Sequence, residues 1–503
     1  MKKSYIINLI YGILWFLPLY YFGRDFFSVE DIKNIYSLDI FNLTKFSIYE
    51  SFLSTIIAFG IGIIPAYYLA YKDNLISKML EGLIFIPFFF PVMSTVTVFS
   101  IILSQEFLKR YNIMYSLKAI VIANVFYNSP IFIKYISDGL KRVPREVVEA
   151  FKLDGANEFQ ILTHCKLPLI LPQIFRAFFM VFTYSFTSMG IVLALGGIKY
   201  SIIEVEIANT LMGSLDFSRA FALGILQFIL LVVLNSFSYS ITEYEISGNS
   251  GQMEINIFSK IYTYIYLILQ YGIVGIAIIY SFYNFYKNKF EIKAFIEIFS
   301  KKFNENYPVI ESIGNSLIIS FISAVIIVII SFVMIKNYNK FTNGLIFGNL
   351  GISGAFLAIS LYYLNILYNI PLVVLLIIGN IFIGIPIGYS FMYQYIKKFP
   401  KDILEMSQLD CRKKWQKYIY VEIPLLKNIL ISIFLQIFAI IFGEFTLAYT
   451  MQIGDYIPLV SLVNYSLIAE KRFIESSALS TVTIIIIFSL FVLGEYFKRR
   501  DEI

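Results

Sequence analysis

The sequence predicts an all-α integral membrane protein of about twelve transmembrane helices, arranged as two tandem halves of six, and three observations lead there. Of its 503 residues 58% are hydrophobic and 15% charged, where soluble globular domains carry roughly 45–50% and about 25%. That much apolar surface needs lipid as its solvent. Apolar runs close to the length of about 20 residues that a helix needs to cross the hydrocarbon layer recur along the chain. A polar, proline-bounded segment also occurs twice at a fixed offset. Strand-type alternation is not the dominant pattern, which argues against a β-barrel.

In chain order, the first run, MKKSYIINLIYGILWFLPLYYFG, has the basic and apolar regions of a signal peptide but no small-residue cleavage site, so it reads as an uncleaved first helix. Spans are expected near 5–22, 48–71, 83–104, 117–137, 170–191 and 218–241. The second set is expected near 261–283, 313–335, 344–366, 371–393, 427–450 and 476–496. The polar stretch 243–259, with its Gly-Asn-Ser-Gly, reads as a cytoplasmic linker between a first membrane domain, 1–242, and a second, 260–503.

Lys and Arg in short loops set the orientation. Lys2 and Lys3, Lys72 and Lys78, and Lys141, Arg142, Arg145 and Lys152 fall on one side. So do Lys397, Lys398, Lys401, Arg412, Lys413, Lys414 and Lys417, and the tail Lys498, Arg499 and Arg500. Both termini are therefore expected inside. One loop disagrees: 284–310 should lie outside yet carries Lys287, Lys289, Lys293, Lys301 and Lys302, and it reads as an amphipathic segment on the outer surface. The net charge of +6 reflects such loops, and no basic run resembles a nucleic-acid patch. Two cysteines, Cys165 and Cys411, make no disulfide framework. The one histidine, His164, beside Cys165, is too little for a metal site.

The repeat is the most informative feature. PREVVEAFKLDGANEFQILTHCKLPLI from Pro144 aligns without a gap on PKDILEMSQLDCRKKWQKYIYVEIPLL from Pro400, at an offset of 256. Glu149 meets Glu405, Leu153-Asp154 meets Leu409-Asp410, Gln160 meets Gln416 and Pro168 meets Pro424. Upstream, Pro130 meets Pro386. Each copy lies in the inside loop between the fourth and fifth spans of a half. A proline suits the first turn of a helix, and the segment is amphipathic: Val148, Phe151 and Leu153 are expected to face a partner, with Arg145, Glu149 and Lys152 near water. A helix lying on lipid headgroups would explain one such segment. It does not explain two with the same acidic and proline positions.

These residues resemble the signature of type I ABC importer permeases, E-A-A, three residues, G, then about nine residues to I-x-L-P. The first copy reads Glu149-Ala150-Phe151, Gly155 and Lys166-Leu167-Pro168. The second reads Glu405-Met406-Ser407, Cys411 and Glu422-Ile423-Pro424. The first lacks the motif's second alanine; the second has Cys411 where the family has glycine, which leaves its turn open. The resemblance spans nearly the whole chain. It implies that each loop forms a short coupling helix seated on a cytoplasmic ATPase, two copies in all. It further implies that an extracytoplasmic binding protein delivers solute and that the chain sits in the bacterial cytoplasmic membrane. Transport would then be alternating access driven by ATP and Mg on the partner. No G-x-x-x-x-G-K-[ST] loop is present, so no cofactor is expected on this chain itself. Permeases with both halves in one chain look most like the thiamine and ferric-iron importers. The stretch from Ser185, SFTSMGIVLALGGIKYSIIEVEIANTLMGSLDFSRAFALGILQ, is similar to thiamine-type permeases, and both solutes stay open. No cluster of residues has metal-ligand spacing.

Glu444, in IIFGEFTLAYT of the eleventh span, needs an interior surface or water, because an ionisable group at membrane depth costs at least about 2.5 kcal/mol. Its partner at the same offset is Ser188. Several importer families have Gly-Glu-Phe here lining the path, so Thr187, Ser188, Gly443 and Glu444 are path candidates. The competing reading is a carboxylate that only bonds a neighbouring helix. Glu204 and Glu206 belong to a gate segment or to an ordinary interfacial loop. An ion-coupled secondary transporter with two six-helix halves is the alternative function, and an enzyme is not expected, since no nucleophile–base pair is found at membrane depth.

Overall fold

The computed structural model describes residues 2–27, 38–72, 80, 82–84, 86–105, 108, 110–197, 199–240, 257–284, 289–336, 340–349, 351–396, 406 and 414–499. Among them the regular secondary structure is helical apart from a hairpin of two-residue strands that pairs Tyr283–Asn284 with Lys289–Phe290. Nine described helices are long and apolar enough to cross a bilayer. The number is ten if Gly82–Phe89 and Val92–Leu103, bent by 94° around Pro87 and Pro91, make one crossing. The expected span near 344–366 is two helices, Lys340–Asn349 and Gly354–Tyr368. A new helix starts there because Ser353 accepts the Phe356 N–H, 2.9 Å, as an N-cap. The spans near 170–191 and 427–450 are also interrupted, at Thr187–Ser188 and Gly443–Phe445. Of the expected linker, 243–256 lies outside the described residues, and 257–259 open the helix Ile257–Phe282.

The chain forms two compact units, Phe27–Ser300 with Asn464–Thr481, and Met1–Phe26 with Lys301–Val463 and Val482–Ile503. In the first, Leu38–Tyr71, Leu117–Lys141 and Leu167–Phe186 pack together, and Ile257–Phe282 lies against Leu38–Tyr71. Lipid offers no hydrophobic drive for helix pairing, so small residues and interhelical hydrogen bonds do the joining. Gln270 donates to the Phe126 carbonyl (2.8 Å), Tyr271 to the Leu83 carbonyl (2.6 Å), and Ser129 and Tyr266 share a 2.9 Å bond.

In the second unit, Lys2–Phe26 packs on Gly354–Tyr368, with the buried Phe22 ring 6.2 Å from Phe356 and 5.8 Å from Tyr363. Asn349 donates to Tyr11 (2.7 Å) and accepts from the Trp15 indole. Val309–Lys336 approaches Leu372–Ile396 so closely that a Cβ at Gly384 would overlap the Ile327 side chain.

A second internal repeat becomes visible in the packing. Ser47-Ile48-Tyr49-Glu50-Ser51-Phe52-Leu53-Ser54 corresponds to Ser316-Leu317-Ile318-Ile319-Ser320-Phe321-Ile322-Ser323, at an offset of 269. The serines are buried in both copies. Ser47 accepts the Ile203 N–H (3.1 Å) and Ser316 the Val460 N–H (3.0 Å). Phe52 meets Phe178 at 6.1 Å, and Phe321 meets Phe434, which lies 256 residues beyond Phe178, at 5.5 Å.

Candidate functional site

The first repeated loop is a helix–turn–helix step. After Pro144 as N-cap, Arg145–Leu153 is helical and Glu146 lies in its first turn. Gly155 ends it with φ +82°, a left-handed conformation that a Cβ disfavours. The Gly155 N–H reaches the Lys152 carbonyl (3.0 Å) and the Ala156 N–H the Phe151 carbonyl (3.0 Å), the paired bonds of a Schellman stop. Asn157 and Gln160 then exchange capping bonds of 2.9 Å and start the next helix. A π-turn over Ile161–Lys166 leads into Leu167–Phe186, with Pro168 in its first turn.

Side chains sort differently from the amphipathic expectation at Val148 and at Phe151, which packs, partly buried, against the same core cluster. Val148 is buried in the protein's own core with Ile161, Cys165 and Tyr71, so it does not face a partner. The 3.6-residue period turns it toward the loop's own return segment. Leu153 is 89% exposed and Phe159 72% exposed, the most exposed of the large apolar groups in the loop. Arg145 and Glu149 pair across one turn at 2.6 Å, and Lys152 pairs with Glu158 at 2.9 Å. Ala150 and Asp154 are exposed too.

In the second loop, Glu405, Leu409, Asp410 and Cys411 lie outside the described residues. Its described exit repeats the first: a π-turn over Tyr418–Glu422, then Pro424 in the first turn of Ile423–Leu425. At the last π position each copy buries an ion. Lys166 sits over the Tyr71 ring at 4.5 Å, whereas Glu422 pairs with Lys336 at 2.5 Å and Lys417 at 3.9 Å.

The path candidates all sit where a span breaks. Thr187 ends Leu167–Phe186, its hydroxyl donating to the Thr183 carbonyl (2.9 Å), and Ser188 precedes Met189–Leu195. Gly443 ends Lys427–Phe442, and the half-buried Glu444 turns its carboxylate onto the start of Thr446–Thr450. It accepts the Leu447 N–H at 2.7 Å and the Ala448 N–H at 3.4 Å, while its carbonyl accepts from Ser461 (2.8 Å). The carboxylate therefore meets backbone donors of its own element, which satisfies it without an opposite charge. The Thr187–Ser188 break belongs to one unit and the Gly443–Glu444 break to the other.

Glu204 is buried and accepts from Gln227 (2.6 Å), and Glu206 pairs with Arg219 (2.9 Å). Two residues near the first break escaped the sequence reading. Glu50, fully buried, accepts from Asn124 (2.7 Å) and Ser54 (2.8 Å), and Asn124 also donates to Ser188 (3.1 Å). The signal was there: a carboxylate inside a serine-lined span is subject to the same cost as Glu444. No group of three or more metal-binding side chains occurs among the described residues. The 284–310 segment holds the short hairpin and the helices Lys293–Ile298 and Lys301–Asn304, with Phe290, Ile292 and Ile296 exposed beside Lys289, Lys293, Lys301 and Lys302.

Residues 58–244 match the family described as binding-protein-dependent transport system inner membrane component. Over 232 residues the chain is 27% identical to a thiamine transport system permease protein of Haemophilus influenzae, a match covering 43% of this chain and 42% of that protein, less than half of its length. It is 23% identical over 243 residues to a probable transport system permease protein, NifC, of Clostridium pasteurianum, covering 45% of this chain and 84% of the relative. A probable sulfate transport system permease protein of Helicosporidium is 24% identical over 210 residues, covering 39% and 76%.

Proposed function

We propose, for a multi-span membrane protein that carries a binding-protein-dependent permease domain over residues 58–244, that it is the permease of an ATP-driven importer and not itself an enzyme. The observation that carries this reading is the loop from Pro144 to Pro168, in which a helix with a sharp C-terminal stop and the capped turn after it hold Leu153 and Phe159 outward ahead of the π-turn exit. Such a step suits docking to a separate ATPase that hydrolyses ATP with Mg. The second loop, with Glu405, Leu409, Asp410, Cys411 and Pro424, would take a second copy. An extracytoplasmic binding protein would hand over the solute, and the chain would lie in the cytoplasmic membrane with both termini inside. Thr187, Ser188, Gly443 and Glu444 would line the path, since a helix that breaks at membrane depth frees backbone groups that only a solute, water or protein can satisfy.

For the solute we favour a thiamine-like organic cation, with iron(III) second. The likeness to the thiamine permease supports the first, and a carboxylate at the break suits a cation better than an anion. Calorimetric titration of the cognate binding protein with thiamine, iron(III) and sulfate separates these. The class is tested by co-purifying the ATPase with this chain and measuring ATP hydrolysis with and without loaded binding protein. Stimulation is expected. A chain that binds no ATPase and moves solute on an ion gradient alone would sink the proposal.

A further inference from the structure

The two halves reach the same place with a carboxylate by different routes. At the offset of 256, Ser188 occupies the position of Glu444 and Asn124 that of Asn380. At the offset of 269, Glu50 occupies the position of Ile319. The second half thus has its acid on the break and an aliphatic residue on the serine-lined span, and the first half has its acid on the span and a serine on the break. The hydrogen bonds close the comparison. One amide nitrogen, Asn124 Nδ2, donates both to Glu50 Oε1 (2.7 Å) and to Ser188 Oγ (3.1 Å), so the Glu50 carboxylate is one bridging group away from the break. Ser54 holds the same oxygen at 2.8 Å.

We propose that Glu50 is the first half's counterpart of Glu444, a positioning residue that sets the Thr187–Ser188 break through Asn124. Packing does not require an acid there, because Ile319 fills the equivalent place between the same pair of serines, Ser316 and Ser320, in the other half. An acid in this environment is costly; Ser51 (3.3 Å), Ser54 and Asn124 donate to it and offset that cost, and of the three Asn124 alone also donates to the break. The first half therefore anchors its break to a neighbouring span, whereas the second anchors its break to its own backbone. The inference rests on the breaks being part of the solute path.

The test uses the assembled importer in vesicles, with ATP hydrolysis measured against the concentration of loaded binding protein. Glu50→Ile copies the second half and should lower kcat about tenfold or more, with KM for the binding protein within about twofold. Glu50→Gln, which still accepts from Asn124, should keep at least about half of the parent kcat. Glu50→Ile/Ser188→Glu rebuilds the second half's arrangement in the first and should recover about a third or more of the lost rate. Normal kcat in Glu50→Ile would overturn the proposal. So would a double variant no better than the single one, or a kcat in Glu50→Gln as low as in Glu50→Ile. If Glu50→Ile fails to insert, Asn124→Ser decides, because it keeps the acid and cuts the bridge: a kcat loss at unchanged KM supports the role, and a normal kcat refutes it. Failure of the path reading looks different. There Glu444→Ala would also be fully active, whereas an inactive Glu444→Ala beside a normal Glu50→Ile refutes only the Glu50 role.

Discussion

Glu422 lies 2.5 Å from Lys336, buried at the point where the other half of the chain stacks Lys166 on Tyr71. The exit of each repeated loop is thus pinned to the C-terminal end of the second span of its half, Lys336 closing Val309–Lys336 and Tyr71 closing Leu38–Tyr71. One half uses an ion pair and the other a cation over an aromatic face. Breaking a buried pair from one side leaves an uncompensated charge, a loss of about 3–5 kcal/mol, while replacing both members by apolar groups is often neutral. Lys417 at 3.9 Å from Glu422 softens the loss. Lys336→Met should therefore lower the melting temperature of the purified protein clearly, and Lys336→Met/Glu422→Leu should return most of it. Equal melting of parent and single variant would show that the pair holds nothing.

The Schellman stop gives a prediction confined to backbone. Nothing lies within 4 Å of where a Cβ at Gly155 would be, so Gly155→Ala meets no clash and pays only for φ +82°. That cost is about 1–2 kcal/mol. The helix Arg145–Leu153 should fray at its end, and the ATPase retained on purification should fall. Gly155→Asn, which tolerates this conformation better, should retain more than Gly155→Ala. An Ala variant with full ATPase would mean that the turn does not orient the docking face.

Much of this was legible in the sequence. Hydropathy gave the helical class, and the gap-free match from Pro144 to Pro400 marked the first loop and the shared π-turn exit of the second. The serine repeat was not found, because it runs at 269 residues rather than 256, and one ungapped alignment cannot hold both. The breaks at Ser188 and Glu444 were invisible to hydropathy, which sees two continuous apolar runs; a serine or a carboxylate in such a run does not say that the helix stops there. Val148 was misread for the opposite reason. Amphipathicity identifies an apolar face, but whether that face meets the chain itself or another protein depends on the return segment, here Ile161 and Cys165.

Sidedness is tested by Leu153, 89% exposed at the tip of the first loop. Leu153→Cys in a background without Cys165 and Cys411 should react with a membrane-impermeant maleimide only after the cells are opened. Cys165 itself is buried and should label slowly from either side. Rapid labelling of Leu153→Cys in intact cells would invert the orientation.

Glu444 discriminates path from packing. Glu444→Gln keeps an acceptor for the Leu447 N–H and should fold, while Glu444→Ala leaves the start of Thr446–Thr450 uncapped and should cost about 1 kcal/mol. If the carboxylate lines the path, both variants lose uptake although only the second loses stability. Uptake that follows stability alone, normal in Gln and reduced in Ala, would leave Glu444 as a cap.

The last prediction concerns coupling. Glu149 is half exposed and pairs with Arg145 one turn away, an arrangement worth only about 0.3–0.5 kcal/mol to the helix. Reversing it to lysine should therefore leave the fold almost untouched. The same carboxylate lies at the middle of Arg145–Leu153, beyond the first turn that Glu146 occupies, so the helix dipole adds little to it. If docking buries Glu149 against a basic group of the ATPase, removing it costs about 2–5 kcal/mol at that interface, and a rim position costs far less. Glu149→Lys should then insert and melt like the parent yet lose ATPase on purification or hydrolyse ATP without response to the binding protein. Glu405→Lys is expected to act in the same direction. Its size need not match, because the second loop has Met406 and Cys411 where the first has Ala150 and Gly155. The measurement is the ratio of ATPase to permease in the purified complex, together with stimulated hydrolysis, for both single variants and the double. Full stoichiometry and full stimulation in all three would mean that these loops do not couple the chain to an ATPase.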